Sequence, residues 1–198
     1  MNKENSKLSQ LSDEELIQRF QEGDQYAFDL IVHRYKDALF NFTYRYLGNS
    51  QEAEDVVQET FLRIFRNRFA YRQIAKFSTW IYTIAGNLAK TELRKRKRRR
   101  QVYTSDMGFD DKEFEIVDTK ADTEREVDSM LTEKLIQAAI DKLPERFRKV
   151  ILLVDVQELS YEEVSKIMRV PLGTVKSRVN RARLKLQGML QELFDAQR

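Results

Sequence analysis

The stretch SYEEVSKIMRVPLGTVKSRVNRARLKL, residues 160–186, decides the architecture. Ser160 is placed to cap a helix, and Glu163 can reach back to the Ser160 backbone N–H, the reciprocal pair of a capping box. Leu159 and Val164 flank that cap as a hydrophobic staple. The helix so begun buries Val164, Ile167 and Met168. Arg169 and Val170 make a turn, and Pro171 stops the first helix while its fixed φ suits the first turn of the next. Arg169 stands where such turns often carry glycine, a geometry that other residues adopt at some cost. The second helix buries Val175, Val179, Ala182 and Leu186, at three- and four-residue spacing. Thr174, Lys176, Ser177, Arg178, Arg181 and Arg183 lie mostly off that stripe. Side chains of these types contact phosphates and base edges, and a short helix pair is how a small protein enters the major groove. A solvated basic face is the plainer alternative. The agreement of cap, turn and cation-rich second helix favours duplex DNA.

Composition narrows the class. The chain has 198 residues with only 6 Gly and 2 Pro, which argues for mostly helix. With 0 Cys and 1 His, disulfides, thiolate metal sites and zinc sites built from Cys and His are excluded. No glycine-rich phosphate cradle and no nucleophile–base spacing is present, so no catalytic residue, metal ligand or cofactor is expected. The net charge is only +3, but every residue from 94 to 100 is Lys or Arg. No apolar run is long enough to insert in a membrane, and MNKENSKLSQ lacks the apolar core of a signal peptide. A cytoplasmic location is expected.

Outward from the first motif, the chain divides in two. Ser12 and Glu15 make a second capping box, stapled by Leu11 and Leu16, for a helix ending near Gly23. Asp24 can cap a longer helix carrying Phe28, Ile31, Val32, Tyr35, Leu39, Phe42 and Tyr46, closed by Gly48. Asn49 or Ser50 starts a third, with Ala53, Val56, Val57, Phe61, Ile64 and Phe65 inward. A loop over residues 68–77 precedes a fourth helix that Ser78 can cap, carrying Ile81, Ile84, Ala85 and Leu88 into the basic tract. Gly86 is a weak point inside it. Residues 101–128 are rich in Asp and Glu, with sparse apolar residues, and read as a flexible acidic linker. Helix periodicity resumes near Met130, and Pro144 and Glu145 open a further helix. The expected fold is therefore all-α: a helical unit over residues 11–100, a linker over 101–128, and a helix-turn-helix unit over 129–198.

Three further features carry chemistry. The basic tract at a helix end suits the macrodipole and phosphate contact. Phe69, Tyr71, Phe77, Trp80 and Tyr82, interleaved with Arg72 and Lys76, can stack unpaired bases, although any one of these rings is more safely read as core. Glu52, Asp55 and Glu59 share one helix face. That face is open to three readings: a metal-binding carboxylate cluster, a solvated surface, or an acidic docking strip for a basic partner.

Together these motifs resemble an extracytoplasmic-function (ECF) sigma factor, a specificity subunit of bacterial RNA polymerase. The resemblance rests on GNSQEAEDVVQETFLRIFRN (residues 48–67), KFSTWIYTIAGNLAKTELRKRKRR (residues 76–99) and LPERFRKVILLVDVQELSYEEVSKIMRVPLGTVKSRVNRARLKL (residues 143–186), and it covers most of the chain. It implies a sigma region two bundle and a sigma region four helix-turn-helix, without enzymatic activity. By resemblance, Asp55, Val56, Val57, Gln58, Glu59, Thr60 and Phe61 dock on the clamp helices of the largest polymerase subunit, and the flap region is a second polymerase contact. Phe69, Tyr71, Arg72, Lys76, Trp80, Asn87 and Arg94 engage the melted minus-ten element. Thr174, Lys176, Ser177, Arg178, Arg181 and Arg183 enter the minus-thirty-five major groove. The linker threads toward the active-site and RNA-exit channels, and an anti-sigma factor, often membrane-anchored in the family, is an expected partner. Thr83 departs from the basic residue common at its position. The rival readings are a stand-alone helix-turn-helix regulator and a metal-dependent enzyme using Glu52, Asp55 and Glu59.

Overall fold

The computed structural model describes residues 8–106 and 124–195. Among the described residues it contains eight α-helices and no strand. In chain order these are α1 (Asp13–Gln21), α2 (Gln25–Leu47), α3 (Ser50–Arg66), α4 (Phe77–Asp106), α5 (Glu124–Lys142), α6 (Glu145–Ile151), α7 (Tyr161–Met168) and α8 (Leu172–Asp195). A 3-10 turn, Arg68–Ala70, follows α3, and a π turn, Leu152–Val156, extends α6. Helices α1–α4 form one helical unit and α5–α8 the other.

Local chemistry explains most boundaries. Ser12 and Ser160 each form the complete capping box, with Glu15 and Glu163 returning to the cap backbone. Asp24 accepts from the amides of Tyr26 and Ala27 at the start of α2. Asn49, rather than Ser50, caps α3 by accepting from Glu52 N–H. Gly48 closes α2 at φ 69°, the left-handed region that glycine enters freely.

The start of α4 is built differently from the sequence expectation. The helix begins at Phe77, and Ser78 lies inside it. Glu14 of α1 accepts the Phe77 amide at 2.8 Å and so serves the free N–H end from another helix. Freed from that task, Ser78 Oγ donates to Glu163 of α7 at 2.8 Å.

The linker is also shorter than expected, because α4 runs to Asp106 and α5 begins at Glu124. No glycine or proline interrupts residues 87–107, and extending an existing helix is far cheaper than starting one. The remaining linker, residues 107–123, lies outside the described residues.

Each unit has an apolar interior. Leu16, Ile31, Leu39, Phe42, Ile64, Phe77 and Ile81 are fully buried in the first, and Val150, Leu152, Leu153, Val164 and Val175 in the second. Burying each aliphatic side chain of this size contributes about 1.5–3 kcal/mol. The two units meet along a polar seam flanking a shared apolar cluster. Arg148 donates to the Tyr46 carbonyl at 2.9 Å, Gln137 donates to the Arg45 carbonyl at 3.1 Å, and Arg45 pairs with Glu133 at 3.1 Å. Tyr82 OH donates to Gln157, and Lys90 lies 3.5 Å from Glu145.

Candidate nucleic-acid interface

Helix α8 owes its position to Val175, Val179 and Ala182, which are buried and face α6 and α7. Their spacing turns the remaining positions outward. Lys176, Ser177 and Arg181 are exposed, as is Asn180, which sequence reasoning passed over although it falls one turn beyond Lys176 on the same face. Ser177 Oγ donates to the Thr174 carbonyl at 3.0 Å. Thr174 and Arg178 are half-buried, and Arg178 turns toward the first unit rather than outward.

Arg183 is committed elsewhere. It forms a two-pronged pair with Asp155 of the π turn, Nε to Oδ2 at 2.9 Å and Nη2 to Oδ1 at 2.6 Å. The π turn, marked by the Gln157 N–H donating to the Leu152 carbonyl at 3.0 Å, is what brings Asp155 to α8. Arg183 therefore pairs within its own unit while remaining exposed, on the same helix as the exposed Lys176, Ser177, Asn180 and Arg181.

The turn before α8 holds Arg169 at φ 54° and ψ 50°. Val170 N–H donates to the Ser165 carbonyl at 3.1 Å and Arg169 N–H to Lys166 at 3.3 Å, satisfying the carbonyl end of α7.

The loop between α3 and α4 separates the expected aromatics into two groups. Phe69 is 66% exposed, with the Arg68 guanidinium 4.6 Å from its ring centre. Ile74, absent from the sequence-based set, is 83% exposed at the loop's outer part. Arg72 and Lys76 are exposed as well. Tyr71, by contrast, is buried against Phe77 and Trp80 with centroids 5.6 and 5.4 Å away, and its hydroxyl donates to the Ala75 carbonyl at 2.8 Å. It holds the loop closed and is not free to stack a base. Phe77 and Tyr82 are core, and Trp80 is half-buried. Asn87 and Arg94 are exposed on α4.

The basic tract is divided between internal and outward tasks. Arg96 donates to the Leu47 carbonyl at 3.0 Å and pairs with Glu52, while Lys95 and Arg99 pair with Glu92 at 2.9 and 3.3 Å. Arg94, Lys97 and Arg98 point to solvent.

The strip Asp55–Phe61 is likewise two-faced. Val56, Thr60 and Phe61 are buried in the first unit, Thr60 Oγ1 donating to the Val56 carbonyl at 2.7 Å. These three position the strip. Asp55 and Gln58 are exposed, Val57 and Glu59 are half-buried, and Leu62, next on the same helix, is 46% exposed and extends the surface with an apolar contact. The carboxylates do not converge. Glu52 is held by Arg96, and Glu59 by Arg63 at 2.7 Å. Among the described residues no group of three or more His, Cys, Asp or Glu side chains is arranged to hold a metal ion.

The class these features define is a helical DNA-binding factor: a helix-turn-helix unit joined to a bundle with an acidic surface strip and an aromatic, basic loop. Comparison with known proteins is specific. Residues 31–99 match the family Sigma-70 region 2, and residues 133–186 match Sigma-70, region 4. The chain is 37% identical over 191 residues to the RNA polymerase sigma-H factor of Pseudomonas aeruginosa, covering 94% of this chain and 98% of that protein. It is 39% identical over 179 residues to the ECF RNA polymerase sigma factor SigW of Bacillus subtilis, covering 89% and 96%. Among solved structures, RpoE of Bartonella quintana in complex with the anti-sigma factor NepR superposes with TM-score 0.66 at 27% identity, covering 83% of this chain and 96% of that one. CnrH, in complex with the cytosolic domain of CnrY, shares the fold with TM-score 0.70 at 22% identity, covering 91% and 97%.

This chain belongs to the sigma-70 family, in its extracytoplasmic-function class. It is a sigma factor, a non-enzymatic transcription initiation factor that binds RNA polymerase core and promoter DNA. No described helix is long and apolar enough to cross a membrane.

Proposed function

We propose that the two units, residues 11–100 and 129–198, divide the work of promoter recognition. In the first, Asp55, Gln58 and Glu59, with Val57 and Leu62 beside them, dock on a basic surface of the largest polymerase subunit. Phe69, Ile74, Arg72 and Lys76 meet the melted minus-ten strand, with Trp80, Asn87 and Arg94 along α4. In the second, Lys176, Ser177 and Arg181, with Asn180, read the minus-thirty-five major groove, and Thr174 and Arg178 join them when the units part. The observation that carries this reading is the outward segregation of acidic residues on α3 and cationic residues on α8, each backed by a fully buried apolar stripe.

Promoter engagement requires the units to separate. Asn87 and Arg178, one from each reading set, line a single cavity here. The closed arrangement suits a held, inactive form in the cytoplasm. The Bartonella relative's complex with an anti-sigma factor supports control by a partner of that kind. Reconstitution with core polymerase tests the reading. Transcripts dependent on a cognate promoter are the expected result, and a failure to associate with core would overturn it.

A further inference from the structure

We propose that the cavity between the two units binds a small organic polyphosphate of nucleotide size, its phosphates held by Lys90, Arg146, Lys149, Arg169 and Arg178. The cavity measures about 760 Å³, within the roughly 300–1,000 Å³ usual for small-ligand sites. The five cations reach it from α4, α6, the helix-turn-helix turn and α8, and Glu145 is the one acidic residue in the lining. Glu145 is shared with Lys90 at 3.5 Å, which leaves the lining strongly positive.

Lys149 makes the site more than a basic surface. The residue is 7% exposed, and the charges acting on its ammonium are Lys90, which repels it, and Glu145, which attracts it more weakly. Burial, and then Lys90 nearby, push its pKa down to about 8. An ammonium on a buried side chain beside a second cation is costly, and an anion in the cavity offsets that cost. Several cations around one space call for more than one negative charge, which a single carboxylate does not supply. Ile167 and Met168 give the same cavity an apolar part that suits a base, and Asn87 brings an amide with both donors and an acceptor. A ligand held there bridges α4 to the helix-turn-helix. It therefore fastens the closed arrangement and covers Asn87 and Arg178.

Calorimetric titration of the full-length protein with GTP, inorganic triphosphate and guanosine, at physiological salt, tests the assignment. Saturable binding of one GTP per chain is expected, tighter than triphosphate, with no binding of guanosine alone. Lys149→Met and Arg146→Ala should each weaken GTP by about tenfold or more, as expected when one charge-assisted hydrogen bond is removed. Lys149→Met removes a buried charge, so the variant is expected to fold, and circular dichroism checks this. GTP should also lower duplex affinity in the parent protein and leave it unchanged in Lys149→Met. Absence of binding at millimolar GTP, equal affinity for GTP and triphosphate, or unaltered GTP affinity in Lys149→Met would each overturn the proposal.

Discussion

Lys149 shows how one side chain can set a pH response. Its folded pKa is pushed from 10.5 down to about 8, by burial first and Lys90 second, against a smaller pull from Glu145. Below pH 8 the folded and unfolded chains both carry the proton, and the folded state bears the burial cost in full. As pH rises above 8 the folded chain releases the proton first and the cost fades. Unfolding free energy should therefore rise with pH, by up to about 3 kcal/mol if the full window is traversed. Burial holds the Tyr35, Tyr46 and Tyr82 phenols above their ordinary value of 10.0, so those groups favour the folded chain only until the unfolded phenols ionise. The usable window is thus pH 8 to about 10. Urea unfolding of the parent and Lys149→Met across it should show the rise only in the parent; parallel curves would refute the cause. Gly86 packs against the same side chain. A Cβ there would meet Lys149 Nζ at 2.6 Å and Cε at 2.8 Å, so the missing side chain makes room for the lysine. Gly86→Ala should cost about 1 kcal/mol in the parent, a small overpacking penalty. In a Lys149→Ala background it should instead gain up to about 1 kcal/mol from helix propensity. Thermal denaturation of the four proteins of that cycle reads the coupling directly. Sequence alone marks Gly86 as a weak point, because nothing local announces a lysine 63 positions later.

Elements whose ends are decided within four residues were legible in the sequence, and those decided from afar were not. Both capping boxes, the Asp24 cap and the left-handed Gly48 stand where the local pattern puts them, since each bond joins near neighbours in the chain. The α4 start escaped that logic because its donor is served by Glu14, 63 residues away. The same holds for Arg183, whose charge pattern matches a DNA-facing residue but whose partner sits on a π turn that no short motif announces. Tyr71 misled in the opposite way, since a loop aromatic can either stack a base or seal the loop, and only packing decides. The turn between α7 and α8 was legible down to its strain, and it supplies the prediction at this scale. Arg169 sits at φ 54°, where a side chain is disfavoured by roughly 1–2 kcal/mol. Arg169→Gly should stabilise the chain by about 0.5 kcal/mol, the relief being offset in part by glycine's greater freedom when unfolded. Arg169→Val should destabilise it by about 1 kcal/mol or more, because β-branching is least tolerated there. Chemical denaturation midpoints for the two variants should move in opposite directions.

At the scale of the molecule, the sequence shows two helical units but not their seam. Ser78 and Glu163 are 85 residues apart, and Arg148 and Tyr46 are 102 apart. Each of these residues has a sufficient local explanation, so no pattern points across the chain. Across that seam, the strip proposed to dock on polymerase and the face proposed to read duplex stand on separate buried supports. Asp55 and Glu59 stand on α3, anchored by Val56, Thr60 and Phe61, while Lys176 and Arg181 stand on α8, anchored by Val175 and Val179. No anchor is shared, so damage to one surface should leave the other intact. Asp55→Ala with Glu59→Ala should abolish or strongly weaken association with core polymerase while duplex binding by the free protein persists. Lys176→Ala with Arg181→Ala should do the reverse. The second pair also carries a quantitative signature. Each cation removed from a phosphate should lower the slope of log affinity against log salt by about 0.9. If both side chains sit on phosphates, the slope should flatten by nearly 2, whereas if both read base edges, binding should weaken with the slope unchanged. Filter binding of promoter duplex over a range of salt, paired with co-purification on core polymerase, separates these outcomes. Loss of both activities in either double variant would mean that the two surfaces are mechanically one, against the independence that their separate anchors predict.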